Sequence, residues 1–174
     1  RIRANLIDIV SFQVSQYGSK LFYVHYFCNL LPSPDWESVT TAYQVGDRLG
    51  SQDSDGTKWI GDTEKNASNA MRSVVKAYET TIQPWFQSIP DVRNWIVEYV
   101  GSSSSTVGCL DMAVALALIG KKSRSWWILC DLIDAAGNST EKAALAEFQE
   151  AIDEERYLSF LDDWRQSVIS RNKL

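Results

Sequence analysis

His25 is the only histidine in the 174-residue chain, so any acid–base chemistry that uses an imidazole near neutral pH must use this residue. It lies in a run rich in β-branched and aromatic residues, Leu21 to Leu31 (LFYVHYFCNLL), which reads as a strand. Cys28 is three residues further on. In a strand that spacing puts the thiol on the opposite face, which argues against a Cys–His dyad. Ser11 and Tyr23 can share the face of His25, but the sequence identifies no third group that would orient a catalytic base. The ordinary alternative is a histidine hydrogen-bonded on a sheet, and no residue is assigned a catalytic role.

Arg48 is the second candidate. Tyr43, Val45, Asp47 and Leu49 alternate with Gln44, Gly46 and Arg48 in a third strand. If the Arg48 face joins that of His25, Gln13, Tyr23, His25, Gln44 and Arg48 form a polar patch able to hold a carboxylate or phosphate bidentately. The competing reading is an arginine that pins the next turn through backbone carbonyls. The C-terminal third carries Glu147, Glu150, Asp153, Glu154, Glu155, Asp162 and Asp163 with few compensating bases. A helical carboxylate cluster is ordinarily a solvated face. If it has a function, Glu150, Asp153, Glu154, Asp162 and Asp163 are candidate contacts for a basic partner, because complementary charge speeds and selects association. No CxxC or Cys/His spacing suggests zinc, and there is no Gly-rich phosphate loop, nucleophile elbow, HExxH helix or EF-hand loop. No metal or cofactor is implied.

These residues must be positioned by a β-hairpin running from Ile7 to Leu31. Its strands flank a polar break, Gln16 to Lys20. One register gathers Val10, Phe12, Val14, Phe22, Val24, Tyr26 and Cys28 on an apolar face. It leaves Ser11, Gln13, Tyr23 and His25 on a semi-polar one, and a one-residue slip would exchange the two. Pro32 to Asp35 ends the second strand, Ser51 to Gly56 is a turn, and Thr57 to Ile60 is a fourth strand of an antiparallel meander. Asp62 or Thr63 caps a helix with the stripe Ala67, Ala70, Met71, Val74, Val75, Tyr78 and Ile82 facing the apolar sheet face, and Pro84 stops it. Val92, Trp95, Ile96 and Tyr99 make an inward stripe after Pro90. Gly101 to Ser105 has linker composition. Val107 to Ile119 is a buried helix, Gly120 to Arg124 a basic turn, and Trp126 to Ala136 a helix closed by Gly137. Asn138 with Glu141 resembles a capping box. The stripes Leu145, Phe148, Ile152 and Tyr157, Leu161, Trp164, Val168 have no breaker between them, consistent with one bent helix.

The expected architecture is a single α+β domain over 1–174. An antiparallel sheet of about four strands (β-meander, 1–61) has one face covered by helices, and a helical part (62–174) gives an all-helical C-terminal half. The length suits one core. A net charge of -5 and a pI of about 4.9 argue against non-specific nucleic-acid binding. Cys28, Cys109 and Cys130 are odd in number, widely spaced and in apolar contexts, as in a reduced protein of the cytoplasm. No apolar run is long enough to span a membrane. The seven tryptophans and seven tyrosines fill a core or form an interface.

The order of short motifs resembles the bacterial domain-of-unknown-function family 4304 over about Ile7 to Val100. They are Ile9-Val10-Ser11-Phe12-Gln13-Val14-Ser15, then Phe22-Tyr23-Val24-His25, Arg48-Leu49-Gly50, Trp59-Ile60 and Pro84-Trp85-Phe86. The family usually has a further helix and basic strand first, so a native segment before Arg1 is expected. His25 stands where the family often has Asn, which weakens a catalytic role. The resemblance implies a small cytoplasmic α+β protein and transfers no catalytic residue. Some relatives look like immunity proteins encoded beside secreted toxins. The expectation is therefore a non-enzymatic interaction protein, in the immunity form one that binds and neutralises a basic toxin domain. The alternatives are a small-molecule or nucleotide-binding enzyme using Gln13, Tyr23, His25 and Arg48, and a scaffold or oligomerising module.

Overall fold

A computed structural model describes residues 1–15, 20–32, 45–49, 59–102 and 109–174. Most of the hairpin break, residues 33–44 with Gln44, the turn at 51–56, Thr57 and Lys58, and the 103–108 stretch with most of the linker lie outside them. Among the described residues five strands form one antiparallel sheet: β1 (Ile2–Arg3), β2 (Leu6–Val14), β3 (Leu21–Leu30), β4 (Val45–Arg48) and β5 (Trp59–Ile60). The order is β1-β2-β3-β4, and β5 returns to β3 instead of extending the meander beyond β4. The cause is length. β3 has ten residues, and β4 pairs only with its Tyr26 end, opposite His25 to Cys28. Leu21 and Phe22 are left for Ile60 and Trp59.

The hairpin register pairs Val10 with Tyr26, Phe12 with Val24 and Val14 with Phe22, so the expected apolar set shares a face. Sharing a face does not bury all of it. Val24, Tyr26 and Cys28 are in the core, but Phe12 is 49% and Val14 68% exposed. The covering helix α1 (Glu64–Ala77) starts at Thr63, whose hydroxyl accepts from the Asn66 amide at 3.1 Å. Its wide stripe is only half used. Ala70, Val74 and Ile82 are buried, whereas Met71, Val75 and Tyr78 stay exposed. Met71 joins Phe12, Val14 and Phe22 around a shallow apolar cavity at the open end of the sheet.

Pro84 does not stop this helix. The chain passes through a π-helical stretch, Tyr78–Ile82, into α2 (Gln83–Ser88). Proline has no N–H to give and its ring crowds the preceding turn. The wider turn accommodates it, with the Gln83 amide donating to Tyr78 O five residues back. In α3 (Val92–Ser102) Trp95 is fully buried, and its indole donates to Cys28 O at 2.9 Å. Helix α4 (Cys109–Leu118) ends on Gly120 at φ 78°, with Lys121 N to Leu116 O and Gly120 N to Ala117 O closing the turn. Helix α5 (Lys122–Ala135) begins within the expected basic turn. Asn138 caps α6 (Ser139–Asp153), accepting from the Glu141 amide at 2.7 Å.

The expected single bent helix is two, α6 and α7 (Tyr157–Asn172). The break is at Glu155, φ 58°, where Arg156 N reaches Ala151 O and Glu155 N reaches Ile152 O. This is the same left-handed closure as at Gly120, adopted by a residue whose type does not announce it.

One continuous set of buried side chains runs from Leu6 and Val24 in the sheet through Trp95 and Val114 to Phe148 and Leu161. A second, small cluster adds a helix contact on the other face of the sheet. Val168 and Ile169 of α7 pack on Ile7, Ile9 and Leu31, and Arg165 donates to Ala4 O at 2.6 Å.

Candidate functional site

The register places Ser11 opposite His25, Gln13 opposite Tyr23, and His25 opposite Arg48. Four of the five expected patch residues, Gln13, Tyr23, His25 and Arg48, therefore share one face, while Gln44 lies outside the described residues. The patch is not uniformly open. Gln13 and Arg48 are exposed and Tyr23 half-buried, but His25 is only 6% exposed. Burial lowers the His25 pKa from its ordinary 6.5, and the nearby Arg48 guanidinium lowers it further. The guanidinium carbon of Arg48 lies 4.6 Å from the Tyr23 ring centroid, a cation–π arrangement. The face thus presents a stacked Arg–Tyr pair with a neutral imidazole beneath it. Gly46, opposite Phe27, lets β4 approach closely, because a Cβ there would overlap Phe27 Cβ and Tyr26 O.

Cys28 points to the other face and enters a network that sequence reasoning did not single out. Asp8 sits opposite Cys28 with its side chain buried. Arg3 pairs with Asp8 and donates to Ile89 O, to Phe86 O at 3.4 Å and to Cys28 Sγ at 3.1 Å. Arg1 adds an Nε bond to Asp8 at 2.8 Å. Burial pushes the Cys28 thiol up to about 12, so the thiolate nucleophile does not form near neutrality. The available signal was Asp8 on the inward alternation of an apolar strand, since a buried carboxylate demands a cation.

The acidic candidates divide into two groups. Glu150 and Glu154 both pair with Arg156, the former at 3.6 Å, and Asp153 accepts from the Trp126 indole at 3.2 Å. Asp162 pairs with Arg165 at 3.1 Å, the arginine that also holds Ala4 O near the sheet. Asp163 is exposed and makes no such contact among the described residues. The hydrogen bond that Arg156 donates to Glu154, together with the surrounding glutamates, raises the Arg156 pKa.

Of the first group, Asp153 lines, with Glu155, a cleft of about 390 Å³ between α5 and the end of α6. Trp126 and Trp127 form one wall, edge to face at 5.4 Å between centroids. Trp126 is half-buried and fixed by Asp153, but Trp127 is 68% exposed. Lys122, paired with Glu155, closes the rim, and its hydrogen bond to that carboxylate raises the ammonium pKa. Trp127 was read from sequence only as part of a helix, because neighbouring tryptophans do not reveal which one faces inward.

A family model described as Domain of unknown function (DUF4304) matches residues 1–88, about half of the chain. The match spans the sheet, α1, the π-helical stretch and α2, and stops before the helices that form the tryptophan cleft. No curated protein and no solved structure matches the chain.

Proposed function

The chain belongs to the domain-of-unknown-function family 4304, and on that premise we propose that it acts by binding a basic protein partner at the α5–α6 cleft. The carrying observation is Trp127, 68% exposed beside the carboxylates of Asp153 and Glu155. An exposed tryptophan leaves a large apolar surface in water, and tryptophans at the centre of interfaces are the commonest anchors of binding energy. Among the lining residues Asp153 and Glu155 outnumber Lys122, so the rim attracts basic groups. The cleft lies outside the matched residues, which suits a common scaffold carrying a chain-specific contact surface. In the immunity form of this reading, the partner is a toxin domain encoded by the neighbouring gene and met in the cytoplasm. No described helix is long and apolar enough to cross a membrane.

The test is calorimetric titration of the neighbouring gene product into the purified chain. Trp127→Ala should weaken binding about 100-fold, as loss of an interfacial anchor does. Asp153→Asn should mainly slow association and flatten its salt dependence. Absence of a complex, or a Trp127→Ala variant that binds unchanged, overturns the reading. A second reading, a small-molecule or nucleotide-binding enzyme, is favoured by the shared face of Gln13, Tyr23, His25 and Arg48. The stacking of Arg48 on Tyr23 and the burial of His25 support a structural role for three of these groups instead.

A further inference from the structure

The two carboxylates that line the α5–α6 cleft are met differently. For Glu155 the chain supplies its own cation: Lys122 pairs with it, and the ammonium lies 5.9 Å from the centroid of the Tyr157 ring. A carboxylate and an aromatic face together suit a cation, the one by opposite charge and the other by its ring quadrupole. Asp153 and Trp127 offer the same pair of groups without the cation. Asp153 accepts the Trp126 indole N–H on Oδ2 at 3.2 Å and pairs with no lysine or arginine among the described residues. One such bond leaves acceptor capacity on the carboxylate and fixes its orientation. Trp127 lies edge to face with Trp126, lines the cleft and is largely exposed. No described cation lies over its ring.

We infer that the cleft takes an arginine side chain of the basic partner, its guanidinium stacked on Trp127 and donating to Asp153. This rests on the binding surface proposed above and names the group which that surface recognises. Three properties favour arginine over lysine. Its planar cation stacks on an indole face. Its fork of N–H groups matches a carboxylate. It is also more weakly hydrated than an ammonium, so it gives up less on leaving water. Trp126 is a positioning residue, since its indole N–H holds Asp153 and its ring packs on Trp127. Lys122 does not oppose a second cation, because Glu155 already meets its charge. A cleft of about 390 Å³ has room for one long side chain.

The experiment uses the full chain labelled with nitrogen-15 and follows the Trp127 indole resonance, assigned by its loss in Trp127→Phe. N-acetyl-arginine methylamide is titrated in, and then the lysine and citrulline counterparts, citrulline keeping the shape of arginine without its charge. The arginine probe should shift the resonance saturably, the lysine probe should bind about tenfold more weakly, and the citrulline probe should not saturate. Asp153→Asn keeps an acceptor for the Trp126 indole and should weaken the arginine probe about tenfold. Asp163→Asn, at an exposed carboxylate of α7, should leave it unchanged. An arginine probe that does not saturate, a lysine or citrulline probe that binds as tightly, or an Asp153→Asn variant of unaltered affinity would each overturn the inference. A neighbouring gene product that binds through Trp127 while the arginine probe does not would leave the binding surface standing and remove its arginine specificity. Saturable arginine binding where no protein complex forms would keep the guanidinium site and overturn the assigned partner.

Discussion

His25 shows how far a single residue can be read. Its solitude, its strand and the face it shares with Tyr23 and Gln13 follow from alternation, since side-chain direction in a strand has a period of two. Its burial does not, because that depends on elements remote in sequence. The structure makes the imidazole a group whose folded-state pKa lies below 6.5. As pH falls through 6.5, the unfolded chain takes up the proton first. The stability contributed by the neutral imidazole is therefore complete above that pH and is lost below it, towards the folded value. With only one histidine, proton NMR of the ring Cε1–H reads this directly. The midpoint should fall below 6.5 and should move upward in Arg48→Gln, which removes the guanidinium's share. A wild-type midpoint at or above 6.5 would contradict the described burial.

At the scale of elements, the two-residue strand β1 is too short to hold itself to the sheet by its ladder. Arg3 fastens it, reaching the Asp8 carboxylate and the end of α2 together. Removing one partner of a buried pair costs about 3–5 kcal/mol. Because Arg1 remains on Asp8, Arg3→Met should cost about 3 kcal/mol by urea unfolding, the lower end of that range. Arg3→Met with Asp8→Leu should recover most of the loss. Equal stability of the single variant and the parent would remove Arg3 from this role. Elements also mark where sequence reading fails. The caps at Thr63 and Asn138 are legible because the side chain that makes the bond is the signal. The break at Glu155 is not, because a left-handed turn at glutamate is imposed by the packing of α6 against α7. Pro84 misleads in the opposite sense, since a π-helical turn can carry a helix past a proline. The exposed half of the α1 stripe likewise reflects how much sheet there is to cover, which periodicity does not report.

At the scale of the molecule, the α+β class was legible from a strand-rich first third followed by helical stripes. The position of α7 against the second face of the sheet was not, since nothing in Val168 or Ile169 names Ile7 as their neighbour. The buried side chains continue without interruption from the sheet into α6 and α7. Sheet and helices should therefore unfold together. Near- and far-ultraviolet circular dichroism should give coincident transitions, and calorimetric and van't Hoff enthalpies should agree. Two separated transitions would instead divide the chain into independently stable parts.

The α7 contact also has a temporal side. Arg165 meets Ala4 across 161 residues, so the strip of sheet around Ile7 and Leu31 stays bare until Val168 and Ile169 have been synthesised. Closure of a loop that long is slow compared with pairing the two hairpin strands. A nascent chain thus carries a formed but half-dressed hairpin while the helices up to α7 are being made. That interval exposes Ile7, Ile9 and Leu31 to other nascent chains and to chaperones, and synthesis speed through the helical half sets how long it lasts.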